Sequence, residues 1–366
     1  MREFVDRLES RGARQQGGAV SYDPEEMKLF LEEVCLEAGV DIRLHTRVVA
    51  AEIDSNTDEP HLDLAITESK SGREAWRAKT FVDASGDGDL AARTGCQFDY
   101  GHPETGLAQP MSFITMLTGI DVEGATPFIR QLAESNDWGT PKDNLREEMK
   151  RAGFEPSYAK PTLFYIRPGL FCLMANHQYC VSGTNADDLT RASLEGRAEV
   201  HRLVNGLRSL GGCWQDVRII STPEHIGVRE GRRIHGRYLV DRDDLASGAR
   251  FDDGVCEVRF GVDVHSTDPM EDKGIVKQGV RSQPYQIPYR ALLARDVDGL
   301  LLAGRCISGD FLAHSSYRVT GDSVPMGEAA GTAAALAAQQ NMPPHLVPWD
   351  EIAAKRATIA QTSRDD

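Results

Sequence analysis

The chain has 366 residues, enough for a large core and two domains, and its 40% hydrophobic and 27% charged residues are ordinary for a globular protein. A formal net charge of −15 argues against nucleic acid and anionic membrane surfaces as partners, because both select basic patches. Seven scattered cysteines, odd in number and without a C-x-x-C pair, argue against a disulfide framework or a metal site and for a reducing, cytoplasmic setting.

The opening Met1-Arg-Glu-Phe-Val-Asp-Arg has no apolar core of a signal peptide, and no apolar run approaches the roughly 18 residues of a membrane span. Residues 1–20 read as the tail of a helix and a polar loop. The only early glycines, Gly12, Gly17 and Gly18, follow no strand. Asp23 as N-cap, Pro24 at the first helical position and Glu26 at the third then predict a helix. Met27, Phe30, Leu31, Val34, Cys35 and Ala38 keep helical spacing, and Gly39 supplies the stop.

Val40, Ile42 and Leu44 alternate as in a half-buried strand. A strand over 47–53 follows, then antiparallel strands over 61–67 and 74–79 around Ser71-Gly72. Residues 80–84 are short and apolar, as a strand entering a parallel sheet should be. That strand runs into Ser85-Gly86-Asp87-Gly88-Asp89-Leu90-Ala91 and a short helix closed near Gly95. From 110 to 298, strand-like runs (111–117, 170–175, 258–264, 285–288) alternate with amphipathic helices. The clearest helix spans 188–210, with Leu194, Ala198, His201, Val204 and Leu207 along one side.

Near the end an apolar strand, GLLLAGRCIS (299–308), meets a glycine turn. A polar loop with His314 and Arg318 leads on to a small-residue helix starting near Pro325, GEAAGTAAAL (327–336). A helix start bare of large side chains lets its N–H groups approach an anion or an electron-rich ring. Gly86-x-Gly88-x-x-Ala91 formally matches a dinucleotide fingerprint, but Asp87 and Asp89 stand where a pyrophosphate needs N–H groups. Its plain reading is a tight strand-to-helix turn with acidic caps.

Together these runs resemble FAD-dependent oxidoreductases of the two-dinucleotide-binding-domain type, over about residues 20 to 340. The carriers are Asp83-Ala84-Ser85-Gly86-Asp87, Thr46-Arg47-Val48-Val49, Gly304-Arg305-Cys306, Ala313-His314-Ser315-Ser316-Tyr317-Arg318-Val319 and the run from Gly227 to Gly236. Asp263-Val-His265 and Gln286-Ile-Pro288-Tyr289-Arg290 match further family runs. The chain departs from the family pattern at Ser315, Tyr317 and Thr320-Gly321-Asp322. Its N-terminus also lacks the family's Gly-x-Gly-x-x-Gly unit, so a truncated front is expected.

The resemblance implies an α/β fold: a partial FAD/NAD(P)-binding Rossmann-like domain carrying a β-rich α+β substrate domain. The expected segments are 1–109 (partial FAD-binding domain), 110–298 (substrate domain) and 299–366 (C-terminal segment of the FAD-binding domain). FAD is the implied cofactor, held by Arg47, Val48, Ala84, Ser85, Gly86, Asp87, Gly304, Arg305, Arg318, Val324, Pro325, Met326 and Gly327. The implied reaction is hydride transfer from an alcohol or amine carbon of a small molecule to the flavin. Arg318 would stabilise the reduced flavin, and His314, His265 or Tyr289 would remove the heteroatom proton. No metal is implied. Asp322 stands where it would neutralise Arg318. The dense Arg/Glu run at 229–233 reads as a salt-bridged face or as an orienting element. The second reading is a flavin-free truncated homologue serving as a binding or scaffold protein, or an inactive fragment. A homo-oligomer or a partner chain would then cover the missing N-terminal unit.

Overall fold

A computed structural model describes residues 2–14, 21–55, 59–132, 139–270 and 272–365. Gly17 and Gly18 lie outside the described residues. In chain order the first half forms α1 (Arg2–Ser10), α2 (Pro24–Glu37), β1 (Arg47–Asp54), β2 (His61–Ser69), β3 (Gly72–Arg77), β4 (Phe81–Asp83), α3 (Asp89–Arg93) and β5 (Phe98–Asp99). Then come β6 (Ile114–Thr118), α4 (Val122–Ala125), α5 (Thr140–Arg151), β7 (Thr162–Arg167), β8 (Leu170–Met174), α6 (Ala186–Ser209) and β9 (Arg218–Ser221). The remainder forms β10 (Arg233–Ile234), α7 (Arg242–Ser247), β11 (Gly254–Val258), β12 (Tyr285–Pro288), β13 (Leu300–Leu302), α8 (Phe311–Tyr317), α9 (Thr320–Gln340) and α10 (Trp349–Asp365). The mixture of helix and strand is the α/β class expected. None of the described helices is long and apolar enough to cross a membrane.

The chain divides into two compact units. Residues 1–42, 108–229 and 265–275 form unit 1; residues 43–107, 230–264 and 276–366 form unit 2. The expected segments and these units share a boundary only near 108. Otherwise the units draw on different stretches: residues 1–42 group with 108–229, and residues 276–298 with the C-terminal region.

Unit 1 is built on an antiparallel sheet of order β7-β8-β6-β9. Its core gathers Phe113, Leu117, Leu163, Phe171 and Leu173 with Val200, Leu203 and Leu207 of α6. Helix α6 starts where Asn185 accepts from the Asp187 and Asp188 N–H groups (2.9 and 3.1 Å). Its buried stripe is Ala192, Gly196, Val200, Leu203, Val204 and Leu207. Leu194, at 63% exposure, belongs to the outer face together with Ala198 and His201, so the expected apolar side was drawn partly on solvent. Helix α2 begins as expected on Asp23 and Pro24. The cap bond runs to Glu25, so Glu26 closes no capping box. Of its spaced apolar residues only Phe30 is buried, against Phe4 and Leu8 of α1.

In unit 2, β1, β2 and β3 form an antiparallel sheet with the expected hairpin at Ser71-Gly72. β4 and β13 pair in parallel, Phe81 opposite Leu300 and Asp83 opposite Leu302. Around them Leu301, Leu302, Ile307, Met326, Ala329, Ala330 and Ala333 make a core in which the alanines of α9 let the helix lie close. Two strand expectations fail. Residues 40–46 alternate but form no strand, and Val40, Ile42 and Leu44 are exposed. Of 258–264 only Val258 is in a strand, the end of β11.

Candidate functional site

Parallel pairing sends β4 and β13 out of the sheet at one edge, so the turns that follow them, 84–88 and 303–306, emerge together. In parallel sheets this carboxyl edge is where ligands are bound. Asp83 closes the first turn. Its buried carboxylate accepts from the Ser85 N–H (3.0 Å), the Ser85 hydroxyl (2.7 Å) and the Ala91 N–H (2.9 Å). Ser85 Oγ in turn accepts from the Asp89 N–H at 2.9 Å, which joins the turn to α3. Gly86 has φ +80°, and a Cβ there would stand 2.6 to 2.9 Å from the Arg305 guanidinium. The glycine is therefore what lets the second turn close on the first.

Arg305 Nη2 donates to Asp87 Oδ1 at 3.2 Å. Arg232 Nη1 donates to the Asp87 carbonyl (2.9 Å) and to Asp89 Oδ1 (3.0 Å). Gly231 brings this third segment in: a Cβ on it would lie 2.3 Å from Asp87 Oδ1 and 2.8 Å from Asp87 Cα. Burial raises the Asp87 carboxyl above its ordinary range, and Arg305 opposes the shift. The neighbouring pair, Arg233 Nη1 with Glu230 Oε1 at 2.5 Å, is fully buried, and Arg233 Nη2 donates to the Gly101 carbonyl. The Arg/Glu run is thus an interior clamp instead of a solvated face. Sequence reasoning left Asp83 and Gly231 out of the candidate site residues, although both stand in runs that carry the resemblance. The signal for Gly231 was present, since a glycine amid four charged residues marks close backbone approach.

His314 and Arg318 do not lie in a loop. Asp310 accepts from the Ala313 N–H at 2.7 Å and starts α8; His314 sits inside that helix and Arg318 caps it. His314 is completely buried, and neither ring nitrogen has a hydrogen-bond partner. Burial holds its pKa well below the ordinary histidine value, and the guanidiniums of Arg318, Arg233 and Arg305 add to the effect. Arg318 donates to the Asp263 carbonyl at 2.6 Å and has the Asp263 carboxylate at 3.9 Å. Asp263, not the Asp322 suspected from sequence, is the acid the structure sets beside it.

Helix α9 starts at Thr320 with Val319 as its N-cap and no side-chain cap. Val324, Pro325, Met326 and Gly327 accordingly lie in its second and third turns instead of at its mouth. The helix expected to start near Pro325 begins earlier, and Pro325 lies inside it. Met326 is fully buried and Gly327 exposed. Arg47 and Val48 open β1, Arg47 exposed and Val48 half-buried against the unit 2 core.

Tyr289 is a core residue. Its hydroxyl donates to the Pro344 carbonyl (2.8 Å), its ring stacks on Trp349, and burial raises its pKa. His265 belongs to unit 1, where its ring lies 4.9 Å from His177 and 5.7 Å from Tyr158, and its N–H donates to Gln109 Oε1. His177 Nδ1 lies 3.2 Å from the Tyr179 hydroxyl and Nε2 3.4 Å from Arg229 Nη2. Since Arg229 can only donate, Nε2 is the acceptor and Nδ1 carries the proton. Elsewhere in unit 2, Glu59, Asp298 and His345 bring possible metal-ligand atoms within 4.8 Å of one another. Arg237 donates to both carboxylates there (2.7 and 3.1 Å) and already compensates their charge.

Glycine turns gathered at the carboxyl edge of parallel strands in an α/β chain are a setting in which nucleotide cofactors are bound. The family model described as FAD dependent oxidoreductase matches residues 1–355, and the chain belongs to that family. FAD is its cofactor. No curated protein sequence matches the chain. Solved structures similar to it include a triple mutant of the flavin-dependent brominase Bmp2 (13% identity, TM-score 0.40, 93% of this chain and 61% of that one). Aklavinone-11 hydroxylase in ternary complex with FAD and aklavinone is similar at 14% identity and TM-score 0.35, covering 91% of this chain and 45% of that one. BrvH, a flavin-dependent halogenase from Brevundimonas sp. BAL3, is similar at 11% identity and TM-score 0.30, covering 99% and 53%. The chain spans about three fifths of the brominase and about half of the other two.

The residues of unit 2 fit such a group. A buried imidazole keeps both nitrogens without partners, three guanidiniums surround it, the Nε of Arg305 is unpartnered, and the first turn of α9 carries no side-chain cap. An electron-rich, polyanionic ligand supplies acceptors for the N–H groups among these.

Proposed function

We propose that unit 2 holds FAD at the carboxyl edge of β4 and β13, and that the protein oxidises a small molecule at a carbon bearing a hydroxyl or an amine. Bound FAD supplies the two-electron acceptor for the hydride. The carrying observation is the junction at that edge, where Gly86 and Gly304 turn beside Arg305 while His314 stays unpartnered nearby. Ala84, Ser85, Gly86, Asp87, Gly304 and Arg305 are the pyrophosphate side of the proposed site. To meet a phosphate, Arg305 exchanges Asp87 for it. Arg318 and the N–H groups opening α9 are the side that favours negative charge.

His314 is held neutral, so it offers one N–H donor and one lone pair. The arginines that disfavour its protonation make it a poor resting place for the substrate proton; in this reading it orients. Tyr289 is committed to a backbone carbonyl, and His265 packs beside His177 in unit 1.

The test starts with the purified protein: visible flavin absorbance, and identification of FAD released on denaturation. Arg305→Met lowers the FAD retained per folded protein, whereas His314→Asn leaves retention nearer to wild type and slows anaerobic bleaching by substrate. A protein that folds, stays colourless and takes up no added FAD would end this reading.

A further inference from the structure

A second feature of unit 2 is a cleft of about 530 Å³ between the loop 99–106 and the start of α8, a volume ordinary for a small-molecule site. Tyr100, His102 and Phe311 line it, His102 meeting Phe311 edge-on at 5.1 Å. Asp99, Glu104 and Asp310 also line it, together with Arg233 and Arg242. Arg233 is cancelled by its buried partner Glu230. Once Glu230 is counted, the carboxylates around the cleft outnumber the guanidiniums by two. Asp310 is held in place by the N–H groups of Ala313 and Arg242. Glu104 is exposed, and no bond to its carboxylate is among those found.

We propose that this cleft binds an organic ammonium ion, an amine with an apolar body. This deepens the flavoenzyme reading by choosing the amine over the alcohol among its two substrate classes. A cation gains from the surplus carboxylates and from the Tyr100 ring, the Phe311 ring already having the Arg233 guanidinium over it at 5.9 Å; an alcohol gains little from either, and a carboxylic acid is repelled. Arg242, at the rim, is the one charge such a ligand has to avoid.

Calorimetric titration of the purified protein with phenethylamine, phenethyl alcohol and phenylacetate tests this. The amine is expected to bind about tenfold or more tightly than the other two. Glu104→Gln weakens amine binding about fivefold, and Arg242→Gln tightens it by a similar factor. Both side chains are exposed, so the two variants fold. Glu195→Gln, on the outer face of α6 in unit 1, leaves it unchanged. Absence of amine binding, equal binding of all three compounds, or Glu104→Gln and Arg242→Gln moving affinity in the same direction overturns the proposal. The outcome is separable from that of the flavin reading. A yellow protein indifferent to the amine keeps the flavin and loses the cleft; a colourless protein that binds the amine does the reverse.

Discussion

The two units differ in where they bury polar groups without partners. In unit 1 Arg14 Nε and Thr115 Oγ1 of β6 lack one, far apart in sequence, while other buried polar side chains beside the sheet are paired. Asn176 accepts from the Phe113 N–H and donates to the Gly196 carbonyl, and Glu199 accepts from the Ser157 N–H and from Gln178. In unit 2, Arg305, Ser308, His314 and Asp322 each keep a buried polar atom without a partner, all within eighteen residues of sequence. Leaving such atoms unmet costs about 1–3 kcal/mol apiece. A fold tolerates that concentration where a ligand completes it. In the reading proposed above, the cofactor completes the atoms left unmet between Arg305 and Asp322.

Substitutions can break or sharpen that contrast. The largest effect is expected at Arg233→Met, which takes the ion-pair partner from the buried Glu230 carboxylate and costs about 3–5 kcal/mol, read from the urea midpoint. Next is a matched glycine pair. A Cβ at Gly119, in unit 1, would meet the Asp216 carbonyl oxygen at 1.9 Å; one at Gly231, in unit 2, would meet Asp87. Each alanine costs about 1–3 kcal/mol through overpacking. Only Gly231→Ala is expected also to lower FAD content per folded protein. Equal loss from both variants would dissolve the division of labour argued above. Asp83→Asn is milder, about 1–2 kcal/mol, because an amide keeps one acceptor but turns an N–H₂ toward the N–H donors that the carboxylate served. Its FAD retention should fall with the loosened turn.

Much of this arrangement was legible in the sequence. The strands 47–54 and 61–69, the parallel strand at 81–83 and the turn at 84–88 follow from alternation, short apolar runs and glycines, all local signals. What escaped depended on three-dimensional neighbours. Residues 40–46 alternate well, yet no strand lies beside them in the described structure, so they stay exposed and irregular. The 311–317 stretch looks polar, and it is a helix because Asp310 caps it and its polar residues are buried by tertiary packing. Glu230 and Arg233 look like surface charges because sequence carries no record of which pairs are enclosed. His265 and His314 were paired as alternatives on family resemblance, whereas the structure assigns them to different units.

The smallest effect separates burial from ligand need at Asp322. Its carboxyl is raised from 3.8 to about 6, with burial the cause, and Oδ2 has no partner. The folded protein therefore holds this proton more tightly than the unfolded chain. In the window between 3.8 and about 6 the folded state binds more protons, so stability falls as pH rises, and the loss is complete above about 6. Asp322→Asn removes the titration. It should leave the melting temperature unchanged at the acid end of that window and raise it above. The gain at neutral pH is held to about 1 kcal/mol because solvent reaches part of the group. A gain independent of pH means that the carboxylate was never strained by burial. A gain in melting temperature accompanied by loss of FAD means that the unmet oxygen serves the cofactor, which would sharpen the contrast between the two units at the cost of a single hydrogen bond.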